Sequence, residues 1–294
     1  MSCRSEQFTG GVFFKLLPLL LPYLLLFMGG IFLCLAQSMG KFLPVPSSLQ
    51  NFEAYVRIFE DSSFYACFAF SLYVAFLSTI TSVISGAFLA YGLWKLPAWL
   101  RQAGIIYKIP LILPHIAVGF VVLVFWSKTG ILASVAHALG VIDSADSFPN
   151  ILYTGNGLGM ILAYALKGTS FVMLMLLALL SGFDQRQVQS ARMLGASRFR
   201  IFFRIVLPRL MPGIHTSFII LFLYSFGAFD IPYLLSESQP GMLSIRVYNL
   251  FFKRDLVNRP EAMAILVLMF LFAAVFIFLY SRAVSGLSSS ERKI

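Results

Sequence analysis

Six apolar runs constrain this chain of 294 residues more than anything else in it: Leu16–Ala36, Phe64–Leu93, Ile105–Trp126, Leu158–Ser181, Ile214–Leu235 and Ala262–Val284. Each reaches the roughly 18 residues that carry a helix across the hydrocarbon of a bilayer. Within lipid a helix satisfies its own backbone hydrogen bonds, so runs of this length and uniformity read as membrane helices. The composition agrees. Charged residues are 12% of the chain and hydrophobic ones 59%, against about 25% and 45–50% in soluble domains. Pro18, Pro22, Pro114, Gly227 and Pro232 interrupt the runs, a pattern that packed neighbours tolerate in a membrane. The first run exceeds the 7–15 apolar residues of a signal peptide and lacks a small-x-small site after it, so it reads as an uncleaved helix. The expected fold is an all-α membrane protein with six transmembrane helices.

Charge placement orients these helices. With the N-terminus inside, the inner segments hold 14 Lys and Arg residues against Glu6, Asp184 and Glu291. The outer segments hold seven basic residues against eight acids. Both termini and the segment 182–213 are therefore expected in the cytoplasm. The net charge of +10 follows from this asymmetry, and nucleic-acid binding is a poor account of it. The organisation expected is a tail, first helix and external segment over 1–63, a membrane core over 64–284, and a short tail over 285–294. Short helices are expected in the outward loops at Phe52–Phe59, Ile131–Leu139 and Ser244–Phe252.

The inner segment Gly182–Gly213 stands apart. It carries six arginines and one acid, Asp184. Apolar residues recur in it at helical spacing, Gly195 breaks the pattern, and Pro208 and Pro212 are expected to close it before the next span. It reads as two short amphipathic helices joined at a glycine. Composition alone fits a segment lying on anionic lipid; such an element between membrane spans also suggests a docking surface for a soluble partner, the reading that the resemblance below favours.

That spacing resembles a known pattern. Importer permeases of the ATP-binding-cassette (ABC) class carry a cytoplasmic Glu-Ala-Ala, a glycine four residues later, and Ile-x-Leu-Pro ten residues beyond the glycine. The matching residues are Gln189, Ser190, Ala191, Gly195, Ile205, Leu207 and Pro208, with Ala196 following the glycine. Gln189 and Ser190 depart from the family's Glu and Ala. Weaker matches lie in the second run (Ser71, Leu72, Ala75, Thr79, Gly86, Ala90, Tyr91) and the third (Pro110, Leu111, Leu113, Pro114, Gly119). The resemblance implies a type I ABC importer permease fold in the bacterial inner membrane. It implies a cytoplasmic ABC ATPase dimer that binds the ATP, and an external solute-binding protein. It also implies a second permease, in a heterodimer rather than a homodimer. The solute it points to is small and charged: a polyamine, iron(III), sulfate, molybdate or a phosphonate. The contrasting reading is a secondary transporter or channel that works without ATP, for which paired half-repeats are expected and none are evident.

The chain offers no chemistry of its own. Its single Gly-Lys pair, Gly40-Lys41, lacks the upstream glycine of a nucleotide-binding loop. Neither the histidines His115, His137 and His215 nor the cysteines Cys3, Cys34 and Cys67 have metal-ligand spacing. No catalytic role, cofactor or metal is expected, and ATP is left to a partner. Two ionisable residues fall inside the runs, Lys167 in the fourth and Asp230 in the fifth. A charge at bilayer depth costs at least ~2.5–3.5 kcal/mol, so it faces a cavity or finds a partner. Two readings stay open: both residues line a solute path, or they pair with each other. His115, beside Pro114, is a third candidate for the path, with a packed neutral ring as its alternative.

Overall fold

A computed structural model describes residues 9–43, 49, 51–97, 103–236, 241–253 and 256–291. Cys3 and the charges Arg4, Glu6, Arg101, Glu237, Arg254, Asp255, Arg292 and Lys293, used in the reading above, lie outside the described residues. Among those described there are helices and turns and no strand. Six helical segments are long and apolar enough to cross a membrane.

The chain packs as two units. One takes residues 1–62 and 246–274, the other residues 63–245 and 275–294. In the first, helix α1 (Thr9–Ser38) is apolar throughout and leads to the short amphipathic α2 (Glu53–Glu60). Ala54 and Ile58 bury one face of α2. Its polar side is tied by Arg57 to Glu261 at 3.8 Å, and Asp61 just beyond it accepts from Arg246 at 2.5 Å. A hydroxyl pair at 2.8 Å joins Ser38 to Tyr55.

The second unit holds the remaining machinery. Helix α3 (Ser62–Trp94) buries a stripe of small residues, Ser71, Ala75, Ser78, Ser82, Gly86 and Ala90. The hydroxyls of Ser71 and Ser82 return to carbonyls four residues back, so they leave no polar group stranded in the membrane. Small residues allow close helix approach. Ser85 meets Thr169 at 2.6 Å on the helix Leu158–Ser181, and a Cβ on Gly86 would stand 2.6 Å from the Val172 Cβ.

The third apolar run is not one helix. A 3-10 turn (Ala103–Lys108) and α4 (Ile109–Ile112) end at Leu113, and α5 (His115–Trp126) begins after Pro114. Proline lacks the N–H that would continue the ladder and disfavours helix in the residue before it. α5 leads through a turn to α6 (Ile131–Ala138), close to the short helix expected at Ile131–Leu139. The fourth run is α7 (Leu158–Ser181), half of it buried.

The fifth run departs from expectation at both ends. After α8 (Gln185–Met193), α9 (Arg198–Ile201) passes through a π-turn (Phe202–Val206) into α10 (Leu207–Gly227) without interruption. Pro208 and Pro212 therefore do not close the basic segment. Pro208 sits in the first turn of α10, where its missing donor is tolerated. The widened turn before it, with the Leu207 N–H reaching the Phe202 carbonyl, takes up the misfit. At the other end α10 stops at Gly227, and Asp230 opens a separate short helix, α11 (Asp230–Leu235). The chain continues through α12 (Leu243–Tyr248) and a second π-turn, Asn249–Lys253, to the long α13 (Arg259–Glu291). Cys34 and Cys67 are free, half-buried thiols.

Candidate functional site

The basic segment is built around Gly195. Asp184 caps α8 by accepting from the Arg186 N–H at 2.9 Å, as its residue type favours at a helix start. The helix ends in a paired closure. The Gly195 N–H donates to the Arg192 carbonyl at 2.9 Å, and the Ala196 N–H to the Ala191 carbonyl at 3.0 Å. This is a Schellman end, whose turning residue is left-handed, and Gly195 has φ +78°. The spacing of Ala191, Gly195 and Ala196 thus records one backbone turn. Ser197 then caps the next helix, accepting from the Arg200 N–H at 3.3 Å.

The inner face of this turn is anchored. Val188, Ile201, Val206 and Leu210 are buried against Ala90 and Trp94 of α3 and Leu176 and Leu180 of α7, with Ala191, Ala196 and Ile205 packed on the margin. Leu207 is half-buried, Pro208 is exposed, and Gln189 and Ser190 face outward. The tip is apolar and open: Met193 is 90% exposed, Leu194 87% and Phe199 79%. Exposed apolar residues flanked by arginines mark an interaction surface; the helical spacing of the sequence groups these three with Val188 and Val206, which are buried, and does not tell the two sets apart. Behind the tip a groove of about 350 Å³ runs between α8 and Tyr91, Trp94 and Lys95 at the end of α3. There the Lys95 ammonium lies 3.9 Å from the centre of the Tyr91 ring.

Two of the three candidate path residues, His115 and Lys167, come together on another part of the same unit. His115 and Lys167 line a cavity of about 180 Å³ with Tyr164, Tyr224 and Ile231, the neighbour of Asp230. The break at Pro114 explains Lys167. α5 starts its ladder at the Pro114 carbonyl, which leaves the Leu113 carbonyl free, and Lys167 Nζ donates to it at 2.6 Å. That contact, and not Asp230, is the ammonium's partner, so of the two readings left open the Lys167–Asp230 pair does not form. Asp230 lies beyond the end of α10 and is exposed. The His115 ring rests on Tyr224, centroids 4.8 Å apart. Tyr164 was missed by sequence reading, since a tyrosine in an apolar run carries no distinguishing mark. It is 4% exposed, and its hydroxyl has no hydrogen-bond partner. His137 and His215 stand elsewhere; His215 Nδ1 meets the Tyr280 hydroxyl at 2.8 Å.

Known proteins share this architecture. Residues 82–288 match the family of binding-protein-dependent transport system inner membrane components. The molybdenum transport permease ModB of Escherichia coli is 30% identical over 173 residues, 58% of this chain and 71% of ModB. The spermidine/putrescine permease PotB of Haemophilus influenzae is 27% identical over 280 residues, 94% of this chain and 91% of PotB. Among solved structures, a bacterial importer of the acidic polysaccharide alginate has the same fold, with a TM-score of 0.77 at 18% identity over 92% of this chain and 94% of that one. In complex with its alginate-loaded periplasmic protein it matches with a TM-score of 0.73 at 19% identity, over 92% and 93%. The chain belongs to the binding-protein-dependent transport system inner membrane component family and is a multi-pass permease subunit of a bacterial ABC importer, a transport subunit whose ATPase is a separate partner.

Proposed function

We propose that this permease forms half of a pathway for a small charged solute and is driven through the loop Gln189–Pro208 by a cytoplasmic ATPase dimer. The observation that carries the reading is the Gly195 turn, which is anchored on its inner face and open and apolar at Met193, Leu194 and Phe199. A rigid knob of this kind suits a groove on a soluble partner. With Gln189 and Ser190 in place of Glu and Ala, no carboxylate stands at the family's glutamate position, so docking there relies on shape and on the surrounding arginines. The charge asymmetry supports a cytoplasmic location for the loop and both termini. His115, Lys167 and Tyr224 border the path, with exposed Asp230 beyond them. One chain walls off only part of such a path. A second permease, in a heterodimer, completes it, and a solute-binding protein delivers from outside. The subunit carries no cofactor; ATP is held by the ATPase.

The test is Gly195→Val in the purified complex. It is expected to abolish stimulation of ATP hydrolysis by loaded binding protein while leaving α8 and the spans folded. Undiminished stimulation in this variant refutes the docking assignment.

A further inference from the structure

We propose that the cavity bounded by His115, Tyr164 and Lys167 receives a tetrahedral oxyanion, so that the solute passing this subunit carries a phosphate-, sulfate- or molybdate-like group and not an ammonium. The inference rests on the path reading above and names the solute class for it. An ammonium has three donors. One of Lys167's is taken by the Leu113 carbonyl, and the other two meet no acceptor among the described residues. The Tyr164 hydroxyl is buried and equally without a partner. A donor left unmade away from water is costly, more so when charged; the Tyr164 hydroxyl is fully buried and the Lys167 side chain half-buried. The rest of the wall is largely leucine, isoleucine and phenylalanine, with Tyr224 and Ser225 as its polar members and no carboxylate among them. The cavity therefore has donors to spare and a fixed positive charge, in surroundings that strengthen electrostatics. An oxyanion answers both needs. A polyamine would set ammonium against ammonium, and the one carboxylate nearby, Asp230, is exposed and does not line the cavity. The volume of about 180 Å³ holds such an ion with a few waters.

The complete transporter, purified with its ATPase and partner permease in lipid nanodiscs, provides the test. Its melting temperature is followed with sodium molybdate, sulfate or phosphate, and separately with spermidine or sodium chloride at matched ionic strength. A ligand of the folded state raises the melting temperature with its concentration. An ATPase also binds oxyanions, so the part of the shift that counts is the part lost in cavity variants. Lys167→Met is expected to remove it and Lys167→Arg to keep it. Tyr164→Phe, which takes away one oxygen and breaks no existing bond, is expected to weaken it roughly tenfold in concentration. The assignment is overturned if no oxyanion acts, if spermidine acts in their place, or if the shift is the same in Lys167→Met and Tyr164→Phe. Uptake of the cognate solute from its loaded binding protein separates the two claims. Lost uptake in Lys167→Met without any oxyanion effect sinks the solute class alone, while full uptake in an assembled Lys167→Met complex sinks the path reading.

Discussion

A left-handed residue costs an ordinary side chain about 1–2 kcal/mol and glycine almost nothing. Nothing lies within 4 Å of where a Cβ on Gly195 would stand, so the penalty there is one of backbone conformation and not of crowding within the chain. Side chains that tolerate φ near +78° should then be separable from those that do not. Gly195→Asn is expected to keep most of the binding-protein-stimulated ATPase activity, whereas Gly195→Val loses it. Equal loss in both would mean that the space itself, reserved for a partner, decides. Gly195 was legible in the sequence because one backbone turn imposes a fixed spacing on its neighbours. Lys167 and Asp230 were legible as charges out of place, but not in their pairing. Their partners are set by two breaks, after Leu113 and after Gly227, that free a carbonyl and carry the carboxylate away.

Helices meet in this molecule through residues that are nearly absent as side chains. Gly168 on α7 faces Ser82, where a Cβ would overlap the hydroxyl, and Gly86 on α3 faces Val172 and the Thr169 carbonyl, 2.6 and 2.9 Å from its own virtual Cβ. The backbone carbonyl cannot rotate aside. Gly86→Leu is accordingly expected to destabilise the subunit by about 1–3 kcal/mol, the usual range for overpacking, and to lower the melting temperature of the complex by several degrees. Gly92→Ala, on the same helix but facing open space, is the control and should leave it unchanged. An unaltered melting curve for Gly86→Leu would show that α3 and α7 stand further apart. The membrane helices themselves were readable from run length. Where they break was not, because Pro212 inside α10 is tolerated while Pro114 ends a helix, and a proline's identity does not say which will happen.

At the scale of the whole molecule the claim most exposed to test is orientation. It rests on 14 basic residues against three acids in the inner segments and seven against eight in the outer. In cells whose own cysteines are replaced, Ser147→Cys is expected to react with a membrane-impermeant thiol reagent from outside, and Ser197→Cys only after the membrane is opened. Both positions are exposed in the subunit, so Ser197→Cys is expected to label once the membrane is opened and the ATPase is stripped away. Reaction of Ser197→Cys in intact cells would invert the topology and remove the ATPase from the Gly195 turn. The relatives are named as transporters of molybdenum and of spermidine and putrescine, and apolar membrane-spanning runs serve either task, which is why the fold was legible in the sequence while the solute was not.

The uninterrupted passage from Arg198 to Gly227 has a mechanical meaning. Thirty residues rising ~1.5 Å each make a rod about 45 Å long. One end is built into the Gly195 turn, and the other stops where Asp230 and the cavity wall at Ile231 begin. Tilting such a rod by ~5° carries its far end about 4 Å, a displacement on the scale of a small ion's diameter. On the docking and path readings proposed above, an ATPase at the Gly195 turn has no need to drag the docking helices far: a few degrees of leverage reach the end of the rod at Gly227. Leverage requires stiffness. Replacing Thr216 and Ile219 together by glycine, which softens the helix because glycine is the weakest helix former after proline and which alters no residue of the cavity wall, is expected to leave the ATPase bound and still responsive to ATP while uptake fails.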